Sequence, residues 1–422
     1  MHQRSTTRDL SLLGALYVAQ SVPLGFFIVA LPAIARSLGL GLETVGLLGT
    51  LAFPYLLKFL WAPLVDRHGR RSSGHYRTWI LPLSLLSIAS VLCLLALQPE
   101  QIFGGGNHLA LLLAVVATAV FMFSAATQDA ATDGLAVRLI SSERRGWANG
   151  VQVGGYYLGQ IVGGGLMLVL YALYGWSGAL GAMAAMLAMP VVLLWSFSEP
   201  PAPADELHRE RPGLGAWLTF FKRPGAMLWT MVLLTYRAGE MMALTMLNPM
   251  MVDQGRSLAA VGLTVGLLGS AASLGGALLG GVLTQRFGRR ATVIGLGFVQ
   301  ALAIASFLLP ARSAAWSSTL FAVAVASFCG GAATAALYTW MMDRCDLRSA
   351  ASDFTVQQSL CAVGPLIAAG ASGFSAQALG FSTHFTLSAG VALTSALFVM
   401  LFVQARHGAV PEPMAGALPA ED

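Results

Sequence analysis

Twelve long apolar stretches cross this sequence, and they restrict its possible folds more than any other feature. A helix of roughly 20 apolar residues spans the ~30 Å hydrocarbon core of a bilayer. Inside lipid, only helices and closed barrels satisfy all their backbone hydrogen bonds, and these stretches are too long for barrel strands. The sequence therefore predicts an all-α membrane protein with twelve transmembrane helices.

We number the predicted helices span 1 to span 12 and keep these names throughout. They cover residues 10–35, 43–65, 78–98, 108–139, 146–172, 175–197, 224–252, 258–284, 291–310, 316–343, 350–377 and 383–405. Only 10% of the residues are charged and 56% are hydrophobic, which excludes a soluble, disordered or nucleic-acid-binding chain. Span 1 follows Arg4 and Arg8, but its apolar stretch is too long for a cleaved signal peptide.

The basic residues predict the orientation of the chain. Of the 24 Lys and Arg residues, 19 fall in the tails, the middle linker and the loops on one side of the spans, and three, Arg36, Arg256 and Arg312, fall on the other side. Loops rich in Lys and Arg remain in the cytoplasm. We therefore expect a bacterial inner-membrane protein with both termini in the cytoplasm.

A polar interruption and an internal repeat predict two halves. Residues 198–223 form the one long polar segment between spans and carry four prolines near their start, as expected of a linker. The turns "PLVDRHGRR" after span 2 and "VLTQRFGRR" after span 8 match at an offset of 219 positions. We expect an N-terminal six-helix bundle over 1–197 and a C-terminal six-helix bundle with a short tail over 224–422. Such paired repeats typically enclose a mid-membrane cavity that opens alternately to each side.

These turns resemble the loop signature of the major facilitator superfamily. Its residues in the first copy are Asp66, Arg67, Gly69, Arg70 and Arg71. The second copy keeps Arg286, Gly288, Arg289 and Arg290, but Gln285 replaces the acid. The resemblance implies the twelve-helix major facilitator fold, with Asp66 pairing across helix ends in one conformer. We expect the corresponding contact of the second loop copy to be weaker, because that copy lacks the acid.

Longer motifs narrow the resemblance. "PYLLKFLWAPLVDRHGRR", "TQDAATDGLAVRL" and "YRAGEMMALTMLNPMMVDQG" look like the muropeptide permease and acetyl-CoA transporter branch of the superfamily. Muropeptide permeases usually carry additional spans, however, and the twelve-span length together with "DFTVQQSL" looks more like siderophore permeases of the pyochelin and rhizobactin type. The resemblance implies import of an iron-siderophore complex, with a muropeptide, another amphiphilic anion or drug and metabolite export as alternatives.

Several polar residues lie inside predicted spans, where each ionisable group is a functional hypothesis because burial in lipid is costly. They are Lys58 in span 2 and Gln128, Asp129 and Asp133 in span 4, and we also expect Gln128 to contact the solute. Asp129 and Asp133 are four positions apart, which places both on one helix face. Two close carboxylates can share a proton and couple transport to the proton gradient. The alternative is a static tie, in which Asp129 or Asp133 forms a permanent structural ion pair with Lys58 or Arg138.

Span 7 contains the other charged pair, Arg237 and Glu240. The resemblance places span 7 beside the cavity with spans 1, 4 and 10. A guanidinium there suits a carboxylate, catecholate or phosphate, whereas the alternative is that Arg237 and Glu240 only neutralise each other. Lys58 is a second cation for the solute, unless its flexible stem carries it to the interface.

Tyrosines and one further amide complete the predicted solute site. Tyr17, Gln20, Tyr236 and Tyr338 would give the cavity aromatic and hydrogen-bonding walls suited to an amphiphilic small molecule. Ordinary packing is the alternative for each of them.

An enzyme is the competing class, and the sequence disfavours it. The histidines fall in loops, tails or at span ends, the four cysteines lack metal-ligand spacing, and no nucleotide-binding fingerprint is present. We therefore expect no enzyme activity, no cofactor and no bound metal. The expected partners are the lipid bilayer and a small-molecule solute, and we expect a monomer.

Overall fold

The computed structural model describes residues 2–38, 48, 51, 53–69, 74–103, 107–200, 213 and 215–407, and these residues form helices joined by short turns. Eight helices in the described part are long and apolar enough to cross a membrane. They are Arg8–Ser37, Arg77–Leu95, His108–Leu139, Ser142–Trp195, Gly262–Phe287, Arg289–Ser313, Trp316–Met342 and Leu347–Leu401.

Two of these eight helices each contain two predicted spans. Gly175 (φ 67°, ψ −167°) interrupts the helical geometry between spans 5 and 6, and Gly380 (φ 77°, ψ 162°) does so between spans 11 and 12. Positive φ is accessible to glycine without strain. The eight helices therefore account for ten predicted spans, consistent with the twelve-helix major facilitator fold.

Spans 2 and 7 differ from the uniform helices that apolar length predicted. The described part of span 2 consists of Phe53–Leu57, a 3-10 turn at Lys58–Leu60 and Ala62–Arg67. Span 7 is divided into Ala226–Thr235 and Ala238–Asp253, because Arg237 leaves the helical region (φ −103°, ψ 0°). Both interruptions occur at a basic residue, buried Lys58 or half-buried Arg237, so irregular backbone coincides with the polar centre of the bundle.

Spans 1, 5 and 8 contain wider π-helical turns at Phe26–Ala30, Ile161–Leu166 and Gly262–Gly269. The first two lie where span 1 meets span 5, and a Cβ atom added to Gly163 would stand only 1.9 Å from the Val22 carbonyl oxygen. In lipid, such glycines let backbones approach closely and bring van der Waals packing that hydrophobicity does not supply.

We call residues 2–200 the N-terminal set and residues 215–407 the C-terminal set. We call the end of the bundle that carries Asp66, Arg145, Asp343 and Ser352 the basic end. At this end one hydrophobic core joins both sets, through side chains such as Tyr76 and Phe354. At the opposite end each set has a core of its own, around Phe27 in one and Phe307 in the other. The two sets are therefore packed together at the basic end and separate towards the other.

Glycines allow span 5 and span 8 to cross at the basic end. A Cβ atom on Gly146 would lie 2.7 Å from the Gly281 carbonyl oxygen, and one on Gly281 would lie 2.6 Å from that of Gly146.

Large apolar side chains such as Leu302 (76% exposed) and Phe374 (80%) cover the outside of the bundle. Exposed leucine and phenylalanine at this density match a lipid surface rather than water.

The structure describes both ends of the predicted linker. Glu199 accepts hydrogen bonds from the backbone amides of Tyr76 (3.0 Å) and Arg77 (2.8 Å), which fixes the start of span 3. Burial raises the pKa of Glu199, while these amide bonds act to lower it. Near the other end, Ala216–Phe221 forms a short helix that the polar composition did not predict. Its Phe220 is buried in the shared core.

Candidate functional site

A cavity of about 500 Å³ lies between the two sets, with walls from both. From the N-terminal set it is lined by Tyr17, Gln20, Lys58 and Asp129 and from the C-terminal set by Arg237, Glu240, Tyr338 and Gln358. The volume lies within the usual range for small-molecule sites. Most of the ionisable residues that the sequence placed inside spans therefore share one chamber.

Lys58 and Asp129 form an ion pair on the N-terminal wall, and Gln20 donates a hydrogen bond to the same carboxylate. The 3-10 turn at Lys58–Leu60 carries the lysine inward, and its side chain is only 4% exposed. A buried ammonium needs a paired carboxylate, because removing either partner leaves an uncompensated charge. The pair is compatible with both the proton-coupling hypothesis and the static tie.

Asp133 lies one turn further along span 4 and is fully buried. Its Oδ1 accepts hydrogen bonds from the Tyr17 hydroxyl (3.0 Å) and from Gln152 Nε2 (2.8 Å). Its Oδ2 has no hydrogen-bond partner and lies 3.8 Å from Lys58 Nζ. Lys58 therefore lies between two carboxylates, bonded to Asp129 and within reach of a second acceptor on Asp133.

Arg237 and Glu240 form the charged pair of the C-terminal wall. Arg237 Nε donates to Glu240 Oε2 at 3.2 Å, and the two side chains are 19% and 5% exposed. The break in span 7 lies at Arg237, and Gly330 of span 10 leaves room for the acid: an added Cβ would stand 1.9 Å from Glu240 Oε1. The guanidinium reaches the cavity while one of its edges remains paired.

Tyrosine rings make up much of the remaining wall. Tyr17, Tyr55, Tyr156, Tyr157 and Tyr338 all line the cavity, and the rings of Tyr156 and Tyr157 meet edge to face at 5.3 Å between centroids. The Tyr55 hydroxyl is buried without a hydrogen-bond partner. Such rings offer flat apolar faces and hydroxyl groups to a solute that has both apolar and polar parts.

Two predicted solute contacts lie away from the cavity. Gln128 Oε1 accepts a hydrogen bond from Ser84 Oγ of span 3 at 3.1 Å, and Tyr236 donates its hydroxyl proton to the Val293 carbonyl of span 9 at 2.7 Å. Both side chains are buried and tie neighbouring helices within their own set. The structure therefore gives Gln128 and Tyr236 packing positions, which was the alternative for Tyr236, because their helix faces turn towards neighbouring helices.

At the basic end Asp66, just past span 2, reaches the start of span 11. Its carboxylate accepts hydrogen bonds from the amides of Ala351 (3.1 Å) and Ser352 (2.8 Å), from the Ser352 hydroxyl and from the Tyr76 hydroxyl (2.8 Å). Amides at a helix N-terminus favour a negative partner. Burial raises the pKa of Asp66 to about 6, although the bonds from Ser352 and Tyr76 act to lower it.

The second loop copy uses an acid from another helix. Arg289 Nε donates to Asp343 Oδ2 at 2.7 Å, and Arg145 of span 5 donates to Asp343 Oδ1 at 2.8 Å. Asp343 is the last residue of span 10 and directly follows the helix Trp316–Met342, so one carboxylate joins the end of span 10 to the starts of the helices of spans 9 and 5. Gln285, which replaces the acid in the loop itself, donates to the Glu143 carbonyl oxygen.

The remaining loop-signature residues that the structure describes make local contacts or turns. Gly69 packs under the His75 ring, which an added Cβ would meet at 2.4 Å, and Gly288 has φ 81° between spans 8 and 9. Arg286 lies over the ring of Phe287 at 5.6 Å. Arg67 and Arg290 each interact with a neighbour. Arg70 and Arg71 lie outside the described residues.

Four residues of this arrangement were missed by the sequence interpretation: Tyr55, Gln152, Asp343 and Gln358. Gln152 and Gln358 are uncharged amides within apolar spans, and the same signal that selected Gln20 could have selected them. Asp343 looks like an ordinary acid at the end of a span. Within the described ranges, no group of three or more His, Cys, Asp or Glu residues is arranged to hold a metal ion.

Comparisons with known proteins agree with this architecture. The model of the Major Facilitator Superfamily matches residues 13–355 and residues 232–420. The anhydromuropeptide permease of Escherichia coli K12 is 28% identical over 389 residues, which cover 91% of this chain and 77% of that protein. A putative transporter, AmpG 4, of Rickettsia conorii is 21% identical over 407 residues, covering 92% of this chain and 95% of that one.

Solved structures share the fold. The human organic anion transporter MFSD10 has a TM-score of 0.72 at 15% identity, covering 93% of this chain and 99% of that chain. The transporter FucP in its outward conformation has a TM-score of 0.70 at 14% identity, covering 93% of this chain and 98% of that chain. At these identities the likeness concerns the fold alone.

Proposed function

The chain belongs to the major facilitator superfamily of membrane transporters, and we propose that it is a proton-coupled permease that imports an anionic, amphiphilic glycopeptide of the muropeptide class. The anhydromuropeptide permease of Escherichia coli supports this solute, which was the alternative in the sequence interpretation. The iron-siderophore complex that the sequence interpretation favoured has no support among the named relatives.

The observation that best supports the proposal is that the basic end is closed, while the cavity above it is lined by both sets. One core joins the sets at that end, and separate cores lie towards the other. We assign the basic end to the cytoplasm from its Lys and Arg content. The cavity then faces the periplasm, ready to receive a solute, and rocking of an N-terminal bundle (1–197) against a C-terminal bundle (224–422) about the linker (198–223) would release it inside.

The charges around the cavity provide a physical reason for the proposed proton coupling. Lys58 and Arg237 supply two positive charges, whereas Asp129, Asp133 and Glu240 supply three negative charges, so the ionised site carries one net negative charge. An anionic solute is repelled by this charge in a low-dielectric chamber. One proton on the aspartate pair makes the site neutral, so a proton and an anion bind together more favourably than either does alone.

The walls suit the two chemical parts of a glycopeptide. The Arg237 guanidinium has donors beyond the edge that Glu240 uses, and these can hold a solute carboxylate. Tyr17, Tyr55 and Tyr338 provide flat faces for sugar rings, together with hydroxyl groups. In this proposal the protein works as a monomer in the inner membrane, and Gln20 helps to orient Asp129.

Uptake into right-side-out membrane vesicles tests the solute. Vesicles containing the protein should accumulate labelled anhydromuropeptide when an inward proton gradient is imposed, and a proton ionophore should abolish the accumulation. The same vesicles should not accumulate a labelled ferric siderophore. Proton-dependent accumulation of the siderophore without that of the muropeptide would reverse the choice of solute.

Exchange measurements separate coupling from binding. Asp129→Asn and Asp133→Asn should each abolish uphill accumulation, because the neutral amide cannot take up and release the proton, yet they should retain counterflow exchange of preloaded solute. Ser84→Ala, which removes only the contacts of this hydroxyl with Gln128 and the Ile80 carbonyl, is the matched control and should retain both activities. Normal uphill accumulation in both aspartate variants would refute the proton role.

A further inference from the structure

We propose that Gln358 senses the protonation of the aspartate pair through Lys58 and thereby ties proton binding to closure of the basic end. This inference rests on the proton coupling proposed above. Gln358 is a positioning residue in this scheme, because it acts on the proton site through the lysine.

Gln358 joins the two sets at the centre of the bundle. It belongs to span 11 of the C-terminal set, and its Oε1 accepts a hydrogen bond from Lys58 Nζ of the N-terminal set at 2.6 Å. The next residue, Ser359, donates its hydroxyl proton to the Leu56 carbonyl at 3.0 Å. Spans 2 and 11 are therefore tied at two adjacent positions, of which one involves the charged cluster and the other does not.

The lysine has two alternative positions. In this structure Nζ is bonded to Asp129 Oδ2 and lies 3.8 Å from Asp133 Oδ2, a buried oxygen without a hydrogen-bond partner. Because the Lys58 side chain is only 4% exposed, its charge must remain next to a carboxylate. Asp133 Oδ2 is a vacant acceptor for the lysine if Asp129 loses its charge.

The proposed step begins with a proton that enters from the cavity. Asp129 lines the cavity and is 14% exposed, whereas Asp133 is fully buried, so Asp129 is the carboxylate that the proton reaches first. Once Asp129 is neutral, the ammonium moves to Asp133, whose carboxylate also interacts with the Gln358 side chain, and its hydrogen bond to Gln358 Oε1 is lost to this new pairing. Span 11 then loses one of its two contacts with span 2 at this level of the bundle, which favours opening of the basic end.

Other groups surround the pair, and the scheme takes them into account. Besides Lys58, the titratable side chains that act on the two aspartates are the phenols Tyr17, Tyr55 and Tyr338 and the thiol Cys345. All four are neutral in their protonated form, so none replaces the carboxylate as a partner for the lysine. A proton can shift the conformational equilibrium only through contacts that differ between the two states, and the Lys58–Gln358 bond is such a contact.

A double-mutant cycle tests this link at constant pH without any solute, so its result does not depend on which solute is carried. Spin labels replace the exposed residues His68 and Phe287 on opposite sides of the basic end, in a transport-active chain whose four native cysteines are changed to alanine. Electron paramagnetic resonance distances then give the ratio of closed to open molecules. Asp129→Asn imitates protonation, and Gln358→Leu removes the acceptor.

Asp129→Asn should lower the closed-to-open ratio by about fivefold or more when Gln358 is present, a typical size for coupling between sites. In the Gln358→Leu chain the same change should have an effect below about twofold. Ser359→Ala is the matched control: it weakens closure itself but should leave the response to Asp129→Asn intact. Gln358→Glu gives Lys58 a further carboxylate, which should hold the lysine at span 11 when Asp129 is changed, so this chain should also lose the response.

Three outcomes would overturn the proposal. The first is an equal effect of Asp129→Asn with and without Gln358, and the second is no effect in either chain. The third is loss of the response in Ser359→Ala to the same extent as in Gln358→Leu. A failure of muropeptide uptake in the vesicle assay would leave this measurement unchanged and would concern only the solute.

Discussion

Asp66 accepts hydrogen bonds from both the amide and the hydroxyl of Ser352, a residue 286 positions further along the chain. This contact joins the end of span 2 to the first turn of span 11. It lies at the basic end, about two turns of span 2 from the Lys58–Gln358 bond by helix geometry. Two contacts between spans 2 and 11, at different depths, thus hold the basic end closed. The outer contact contains Asp66, whose pKa of about 6 lies close to physiological pH.

The outer contact should depend on pH. The pKa of Asp66 is about 6 in the closed end, against 3.8 for an exposed aspartate, so closure takes up a proton. A raised pKa stabilises the closed form most at low pH, and this contribution is lost as the pH rises through about 6. The closed-to-open ratio should therefore fall about tenfold between pH 5 and pH 7.

Spin-label distances across the basic end can measure this dependence. The measurement should be made in the Asp129→Asn chain, which removes the carboxylate that a cavity proton reaches first and leaves Asp133 as the partner of Lys58. Adding Asp66→Asn to that chain should remove the tenfold fall. A persistent fall in the Asp66→Asn chain would assign the titration to another group.

Asp343 should contribute more to closure than its neighbour Asp346. Asp343→Ala removes the shared acceptor of Arg145 and Arg289 across the basic end. These pairs are partly exposed, so a loss of about 1 kcal/mol, or fivefold in the closed-to-open ratio, is expected. Asp346 pairs with exposed Arg348 in its own loop, and Asp346→Ala should change the ratio less than about twofold. Equal effects of the two substitutions would mean that Asp343 has no special role in closure.

Gly146→Ala should prevent closure while leaving the bundle folded. Its Cβ would lie 2.7 Å from the Gly281 carbonyl oxygen, a backbone atom that can move only if span 5 and span 8 separate. In the proposed rocking of the two bundles these spans also separate when the basic end opens, so the variant should be trapped in open forms and lose transport. Gly295→Ala is the control, because an added Cβ there meets nothing within 4 Å.

Detergent-solubilised stability and spin-label distances distinguish the outcomes for this glycine. We expect a thermal midpoint within a few degrees of that of the unaltered chain, together with loss of the short closed distance. A closed population like that of Gly295→Ala would show that the crossing tolerates a methyl group.

Arg237 should select anionic solutes. Arg237→Gln removes the charge but retains a hydrogen-bond donor, and loss of a charge-assisted bond costs about 1.5–3 kcal/mol, or roughly 10- to 150-fold in affinity. Binding of a solute whose carboxylates are converted to amides should change less than about threefold. Arg256→Gln is the control, since Arg256 contacts the Ala314 carbonyl and the Trp316 ring away from the cavity. Equal losses for both solutes would indicate damage to folding.

The sequence predicted the helical class and most helix positions, because apolar length and the scarcity of charge determine what lipid can solvate. It also brought Asp129, Arg237 and Glu240 to attention, because a charge within a span is rare and costly. It did not predict the break of span 7 at Arg237, since apolar length carries no information on where helical geometry is interrupted. Gln128 looked as suitable for the cavity as Gln20, yet it bonds to Ser84 of a neighbouring helix.

Composition and spacing by themselves thus determined that this chain spans a membrane, that its loops repeat and that a few polar residues would share its interior. Only the tertiary structure decided which residues pair across the two sets, as Lys58 does with Gln358 over 300 positions and Arg145 does with Asp343 over 198. The physical reason is that solvation by lipid depends on the local run of residues. A bond between distant helices depends on how those helices dock, which the spacing of residues along the chain does not encode.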